Sequence, residues 1–333
     1  MFQWINDGLF AVLNWIQSWS GAWGIAIIIF TFMVRLAMTP LDIKSRASMR
    51  KTQKLQPQLQ ALQKKYANDK EKLNAKTAEL YKKAKVNPLS SCLPLLLTWP
   101  ILIAVFGAMR TVANRQILEQ VTQILNGQQP AMEQFLWIKN LWMPDNPFYS
   151  ALPDANTLRM ISSNEWLNWF NGLQGNMPAL LQELNLTTAS FEGNALQETV
   201  ASIVKAMETI PFYAEGISSI PGYTIPLVNW SVKTLYNGFL LLPILSAVSQ
   251  IVMTKIMGNG TPQPAEGQPN TGKFMQWFFP IFSLWICLGY SAAFALYWVA
   301  GNLVSMGQTF AINKYLDKKD QMAAPVAGEG SVK

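Results

Sequence analysis

The chain has 333 residues, of which 50% are hydrophobic and 14% are charged, with thirteen tryptophans and a net charge of +7. This composition indicates a polytopic membrane protein. Histidine is absent, which excludes a Ser-His-Asp triad and a histidine metal site, and Cys92 and Cys287 lack the spacing of a zinc site. We therefore expect neither enzyme activity nor a cofactor.

The first predicted element is an amphipathic helix over residues 1–20. Apolar residues recur at helical spacing between Trp4 and Trp19, and the tryptophans suit the headgroup region of a bilayer. No lysine or arginine precedes Arg35, so we do not expect a signal peptide. We expect this helix to lie in the membrane interface on the outer side.

Residues 21–41 form the first predicted membrane span, and Arg35 is the only charge in it. At 1.5 Å per residue, Arg35 lies roughly 18 Å from Trp23, so its side chain reaches an interface only in part. An arginine near mid-span costs about 2.5–3.5 kcal/mol, which favours a wet cavity lined by protein over lipid. Thr31 and Thr39 fall on the same helix face. We interpret Arg35 as functional; a structural arginine that snorkels or pairs is the alternative.

Residues 42–88 form a predicted basic helical hairpin. Leucines recur at helical spacing on both sides of Asn68 and Asp69, which break the pattern. The surface is rich in lysine, and the residues that we single out are Lys64, Lys65, Lys70 and Lys72. Two interpretations stay open: a docking surface for anionic lipid, ribosome or nascent chain, or a solvated face that only orients the protein.

Four further apolar segments predict membrane spans at residues 89–110, 237–257, 273–289 and 291–312. The segments between and after them are the loops 111–236 and 258–272 and the tail 313–333. Aromatic and apolar residues in the first of these loops predict an inserted helical cap over about 148–222. Five spans place the two termini on opposite sides of the membrane.

Charge predicts the orientation. Between Asp42 and Ser91 there are thirteen Lys and Arg against four Asp and Glu, whereas between Thr111 and Leu235 there are five against ten. The positive-inside rule places the basic hairpin in the cytoplasm, the N-terminus outside and the C-terminal tail inside. The basic charge is therefore a topological signal, and we do not expect nucleic-acid recognition.

Polar residues recur at helical spacing in the other predicted spans. We expect some of them to line a cavity with Arg35, although small and amide residues in membrane helices also serve packing. No acidic residue lies within the five spans, so Arg35 has no evident internal salt-bridge partner and is suited to attract a negative group from outside the protein. The candidate groove residues are Arg35, Thr31, Thr98, Ser246, Gln250, Trp298 and Asn302.

The order and spacing of several motifs resemble the YidC/Oxa1/Alb3 family of membrane-protein insertases. The matching segments are Thr31 to Leu41, Leu55 to Pro57, Asn87-Pro88, Cys92 to Ile101, Phe135 to Leu141 with Pro144-Asp145, Leu242 to Gln250, Leu296 to Trp298, Asn302 and Gln308. The chain departs from the family pattern at Ser291 to Ala293, at Thr98, where glutamine is common, and in the cap.

The resemblance implies an all-α membrane protein with five transmembrane helices around a hydrophilic groove that is open to cytoplasm and lipid. Arg35, Gln250 and Trp298 match the groove residues of the family. In such a protein the arginine attracts acidic residues in the short translocated tail of a substrate, and no nucleotide or metal is needed. The implied partners are nascent membrane proteins and anionic lipids, with the Sec translocon and ribosome as further candidates, in the bacterial cytoplasmic membrane.

Two other classes of function stay open on the sequence alone. A small-anion transporter could use Arg35 as its binding charge, but no internal repeat is evident and transport does not explain the basic hairpin. A scaffold could assist assembly without moving a polypeptide, but it would not need a spare intramembrane arginine.

Overall fold

The computed structural model describes residues 3–84, 93–173, 175–228, 230–258 and 271–323. Most of the predicted loop 258–272, the last part of the predicted tail 313–333 and the start of the predicted span 89–110 lie outside these residues. The side chain of Thr98 lies outside them as well.

The described chain is mostly helical, which confirms the all-α class in its coarse form. The long helices are α1 (Gln3–Ser20), α2 (Trp23–Lys54), α5 (Leu93–Leu125), α11 (Leu241–Gly258), α12 (Thr271–Gly289) and α13 (Ala292–Ala323). The shorter ones are α3 (Gln56–Lys65), α4 (Lys70–Lys83), α6 (Ala155–Arg159), α7 (Ser163–Gly172), α8 (Ala179–Gln182), α9 (Ala195–Glu208) and α10 (Pro211–Ile217), with a 3₁₀ turn at Thr188–Phe191. Two strands, β1 (Ser219–Ile225) and β2 (Trp230–Lys233), pair antiparallel.

Within the described residues, α2 is the one helix that is long and apolar enough to cross a membrane, and Leu241–Ile256 and Gln276–Gly289 are shorter apolar helices. With 32 residues, α2 has a length of about 48 Å, which exceeds a hydrocarbon core of about 30 Å. Its basic C-terminal part therefore extends beyond the apolar part that contains Arg35. The five predicted spans and their boundaries stay predictions.

The chain divides into two compact units. The first consists of Met1–Phe30, Ile103–Ala247 and Phe282–Val299, and the second consists of Thr31–Leu102, Val248–Ile281 and Ala300–Lys333. The first contains the cap and the second contains α3, α4 and Arg35.

In the first unit, two acidic side chains of the loop after α5 cap the starts of α2 and α11. The carboxylate of Glu133 accepts a hydrogen bond from the backbone N–H of Trp23 at 2.9 Å. The carboxylate of Asp145 is fully buried and accepts from the N–H groups of Phe239 and Leu242 at 2.8 and 2.7 Å. A negative charge at a helix N-terminus stabilises the otherwise unpaired N–H groups there.

The same loop also fixes the start of α13. The N–H groups of Ala292 and Ala293 donate to the carbonyl oxygens of Met143 and Leu141 at 2.9 and 2.8 Å. The side-chain amide of Asn237, which is fully buried, donates to three carbonyl oxygens of this loop, that of Met143 among them. One loop therefore joins the starts of three long helices.

The cap has an apolar core of its own. Trp166 of α7 stacks on Phe191 at 6.0 Å, and both side chains are fully buried together with Val200 and Ile203 of α9. The hydroxyl of Tyr213, which is buried, donates to the carbonyl oxygen of Pro153 at 2.7 Å, and burial raises the pKa of this tyrosine. The cap is an ordered, helical subdomain.

The strand pair was not part of the sequence prediction, which described the insertion over about 148–222 as helical. The two strands continue the ordered insertion to Lys233. Pro221 and Pro226 interrupt the run of strand-forming residues, and proline weakens a strand signal because it cannot donate to the ladder.

In the second unit, α3 and α4 contact each other on either side of Asp69. The carboxylate of Asp69 accepts from the backbone N–H of Lys72 at 3.0 Å and pairs with the ammonium group of the same lysine at 2.9 Å. This cap begins α4 at Lys70.

Candidate functional site

Arg35 lies in α2 with its side chain half-buried. No described residue accepts a hydrogen bond from its guanidinium group or forms an ion pair with it at 4.0 Å or less. Gly301 of α13 lies close by, since a Cβ atom at this glycine would be 3.4 Å from Nη2 of Arg35 and 3.8 Å from Cγ2 of Thr31. Thr31, one turn earlier on α2, is fully buried. The charge is therefore available to an outside group while its helix is packed closely against α13.

Gln308 of α13 holds the turn of α2 that carries the arginine. Its side-chain N–H group donates to the main-chain oxygen of Arg35 at 2.8 Å and to Oγ1 of Thr39 at 2.8 Å. The hydroxyl of Thr39 also donates to that main-chain oxygen, at 3.1 Å. Pro40 follows within the helix and has no N–H group, so the ladder of α2 lacks a hydrogen bond here. Gln308 thus adds two hydrogen bonds to α2 just before this proline.

Two polar atoms of α13 remain unsatisfied close to this turn. Among the described residues, Oε1 of Gln308 and Oγ of Ser305 are buried without a hydrogen-bond partner. They stand three residues apart and so share one helix face. Buried polar atoms are normally paired, which makes these two suited to water or to a polar ligand.

Asn302 of α13 and Ser249 of α11 form a second polar contact in this unit. The side-chain amide of Asn302 is buried and donates to Oγ of Ser249 at 3.0 Å. Gln250 is half-buried, and its main-chain oxygen accepts from the hydroxyl of Thr254 at 2.7 Å. The predicted residues Arg35, Thr31, Gln250 and Asn302 all belong to this second unit.

The polar stripe of α2 continues beyond the predicted span. Asp42 is attracted electrostatically to both Arg35 and Arg46. The guanidinium group of Arg46 donates to Oγ1 of Thr309 at 2.7 Å. Arg50 pairs with Asp317 at 2.7 Å. No ion pair of 4.0 Å or less joins Arg35 to a described acidic residue, and Asp42, one position past the predicted span 21–41, acts on it only at longer range.

Ser246 and Trp298 belong to the first unit, so their grouping with Arg35 in one groove stays a prediction. The hydroxyl of Ser246 is fully buried and donates to the carbonyl oxygens of Pro243 and Ser283 at 2.7 and 3.3 Å. The second of these hydrogen bonds joins α11 to α12. Trp298 is half-buried beside Phe294, with 5.7 Å between ring centroids, and its indole nitrogen has no partner among the described residues.

The lysines of the hairpin are exposed, as expected for either interpretation. Exposed are Lys64, Lys65, Lys70 and Lys72. Glu79 of α4 accepts hydrogen bonds from Lys76 and Lys83 at 2.8 Å each, which lower its pKa to about 2. The carboxylates of Asp69 and Glu79 are thus neutralised by neighbouring lysines, and the hairpin keeps an excess of positive charge.

Sequence reasoning did not single out Gln308, Gly301 or Thr39 as site residues. Periodicity places Thr39 on the face of Arg35 and Gln308 beside the polar stripe of α13. It does not reveal that an amide 273 positions later in the chain contacts the main chain of Arg35. No described residues form a cluster of three or more acidic or cysteine side chains that could hold a metal ion.

Residues 15–319 match the sequence model of the 60Kd inner membrane protein family. The proteins named membrane protein insertase YidC include similar sequences from three bacteria. The protein of Fusobacterium nucleatum subsp. nucleatum is 43% identical over 145 residues, which cover 44% of this chain and 62% of that protein. The protein of Clostridium tetani is 40% identical over 124 residues, which cover 37% of this chain and 50% of that protein.

The protein of Anaeromyxobacter dehalogenans is 38% identical over 148 residues, which cover 44% of this chain and 24% of that protein. The chain therefore spans less than two thirds of the length of each of these relatives.

Proposed function

The chain belongs to the 60Kd inner membrane protein family, and on this premise we propose that it is a membrane-protein insertase and chaperone. The names of its relatives support this proposal, since proteins 38 to 43% identical to it are called membrane protein insertases. Its substrates are nascent membrane proteins with a short tail that must cross the bilayer.

Arg35 attracts acidic residues of that tail. A guanidinium group and a carboxylate 4 Å apart attract each other by about 4 kcal/mol where the effective dielectric constant is about 20, against about 1 kcal/mol in bulk water. The gain offsets part of the cost of bringing a carboxylate out of water. The guanidinium group is half-buried, and no described residue forms a hydrogen bond or an ion pair with it at 4.0 Å or less, which supports this role.

The substrate's own apolar helix supplies the driving force for completion. Each methylene group that leaves water contributes about 0.8 kcal/mol. A wet groove shortens the apolar path that the polar tail must cross, and the apolar segment then moves into lipid. The insertase therefore lowers a barrier and needs no nucleotide.

The finer arrangement is part of the same proposal. Five helices surround a groove lined by Arg35, Thr31, Thr98, Ser246, Gln250, Trp298 and Asn302. The protein lies in the bacterial cytoplasmic membrane with the N-terminus outside, and its basic hairpin faces the cytoplasm. There the exposed lysines meet anionic lipids, the nascent chain and, as further partners, the ribosome and the Sec translocon.

The observation that carries this proposal is the guanidinium group of Arg35, which lies within an apolar helix and is paired with no described side chain. The test uses the purified protein in liposomes with a single-span substrate that has an acidic tail, and protease protection of the tail reports insertion. Arg35→Lys should keep most of the insertion and Arg35→Ala should lose it. A substrate with a neutral tail is the matched control and should depend little on Arg35.

Equal insertion of the acidic tail by all three proteins would contradict the role of the charge. Anion flux through the same liposomes in the absence of insertion would favour the transporter instead.

A further inference from the structure

The hairpin of β1 and β2 has one apolar face. Ser219 lies opposite Lys233 at its base, and Ile225 lies opposite Trp230 near its tip. Because opposed residues and alternate residues share a face of a strand pair, Tyr223 lies on the same face as Ile225 and Trp230. These three residues make that face apolar and aromatic.

The opposite face is polar. Thr224 and Ser231 are paired across the strands, and their hydroxyl groups are 2.9 Å apart. The turn at the tip is apolar again, with Leu227 94% exposed and Val228 exposed. The hairpin is therefore amphipathic, and its apolar face continues into its apolar tip.

Very little of the protein covers this apolar surface. Tyr223 is 66% exposed and Trp230 is 45% exposed, although the ring of Trp230 contacts that of Phe148 at 5.3 Å. A two-stranded hairpin is only marginally stable in water unless its apolar face packs against something. An exposed apolar patch of this kind indicates an interaction site.

The composition of the hairpin indicates that a lipid bilayer covers its apolar face. No charged residue lies between Glu215 and Lys233, and the apolar surface combines tryptophan, tyrosine and aliphatic side chains. This combination is typical of the boundary between headgroups and acyl chains, where an aromatic ring meets both environments.

The base of the hairpin is rigidly joined to the start of α11. The N–H groups of Lys233 and Asn237 donate to the carbonyl oxygens of Pro147 and Tyr149 at 3.0 and 3.1 Å, and Asp145 caps α11 a few residues later. From that point, exposed apolar residues continue along the chain into the apolar helix; they are Phe239, Leu241, Ile244 and Leu245. The apolar surface of the hairpin thus leads along the chain into a helix face suited to lipid.

We propose that this hairpin is a membrane anchor of the external insertion, with Leu227, Val228 and the Tyr223–Trp230 face seated in the outer leaflet. It fixes the cap at the membrane surface beside the start of α11. The proposal rests on the orientation given under the proposed function, in which the insertion lies outside.

The test is an environment-sensitive fluorophore on the full chain in liposomes of phosphatidylcholine and phosphatidylglycerol. Cys92 and Cys287 are first replaced by alanine, and Leu227→Cys is labelled with NBD. Ala201→Cys on α9, an exposed position of the same insertion outside the hairpin, is the matched control. The label at position 227 should show a blue shift and loss of emission with nitroxide lipids, whereas the label at position 201 should be quenched by iodide in the external solution.

Adding Val228→Asp should reduce the quenching of the label at position 227 by lipid, because a charge at the tip opposes insertion. Iodide quenching of the label at position 227 without lipid quenching would overturn the proposal, and so would equal lipid quenching at both positions. These outcomes are independent of insertase activity, since no substrate is present.

Discussion

The side-chain N–H group of Gln308 lies 2.8 Å from the main-chain oxygen of Arg35, so that α13 holds α2 at the turn that carries this arginine. Pro40 removes a ladder hydrogen bond just beyond this turn, and a helix with an internal proline is free to kink there. The contact therefore ties α2 to α13 on the N-terminal side of this proline.

Replacing Gln308 should reduce insertion although Arg35 is kept. Gln308→Leu removes both hydrogen bonds of the amide, which should lower the free energy of unfolding by about 1–3 kcal/mol and leave α2 free to bend. Insertion of an acidic tail and the denaturant midpoint in detergent are the two measurements. Phe310→Ala, at an exposed position of the same helix, is the control that should leave insertion unchanged. Normal insertion by Gln308→Leu would show that the hydrogen bonds between Gln308 and α2 are not needed for insertion.

Gly301 should tolerate a small side chain but not a large one. A Cβ atom there meets Nη2 of Arg35 at 3.4 Å, which is ordinary contact, so Gly301→Ala should keep activity and add up to about 1 kcal/mol through helix propensity. Gly301→Leu should displace the guanidinium group and reduce insertion. Gly307→Leu is the matched control, because a Cβ atom at Gly307 meets nothing within 4 Å. Equal activity of the two leucine variants would contradict the close approach of α13.

Asp145 should be a major contributor to stability. Its buried carboxylate accepts from two N–H groups at the start of α11 and from Nε1 of Trp137 at 3.1 Å. Asp145→Ala should lower the free energy of unfolding by about 2–4 kcal/mol, measured by chemical unfolding in detergent. Glu192→Ala, at an exposed position of the cap, should have no such effect. If Asp145→Ala left the free energy of unfolding unchanged, the capping by the loop after α5 would not be important for stability.

The hairpin of α3 and α4 should lose stability in acid. The lysine partners of Glu79 depress its pKa from 4.5 to about 2, so the carboxylate stabilises α4 above its ordinary pKa, and this contribution disappears as the pH falls from about 4.5 to about 2. Hydrogen exchange of α4, corrected for intrinsic rates, should rise over this range. In Glu79→Gln it should already be slightly raised at pH 7, because an exposed ion pair contributes little. The same pH profile for both proteins would exclude Glu79 as the cause.

Local periodicity was sufficient to predict the features that lie within one helix. The spacing of Thr31, Arg35 and Thr39 predicts the polar face of α2, and the family resemblance points to membrane insertion. The partner of that face could not be predicted, because Gln308 reaches the main chain of Arg35 through packing between helices distant in sequence.

The sequence alone left two other features of the candidate groove open, for different reasons. Asp42 was assigned to the basic hairpin because the predicted span stops one residue before it, although α2 continues to Lys54. Ser246 was assigned to a groove because polar residues recur at helical spacing along α11; its buried hydroxyl donates to carbonyl oxygens of α11 and α12, and its place in the groove stays a prediction. Polar residues at helical spacing therefore identify candidate groove residues, but they do not distinguish residues that serve helix packing from residues that contact a substrate.

A charge exchange between position 35 and the tail of a substrate tests the central claim most directly. Arg35→Glu is compared with the unmodified protein in liposomes, with one substrate whose tail carries aspartates and a second in which these are lysines. The unmodified protein should protect the acidic tail better, and Arg35→Glu should reverse this preference, because the electrostatic attraction changes sign. If both proteins protect the acidic tail to the same extent and both discriminate equally against the lysine tail, the charge of Arg35 does not draw the substrate into the membrane.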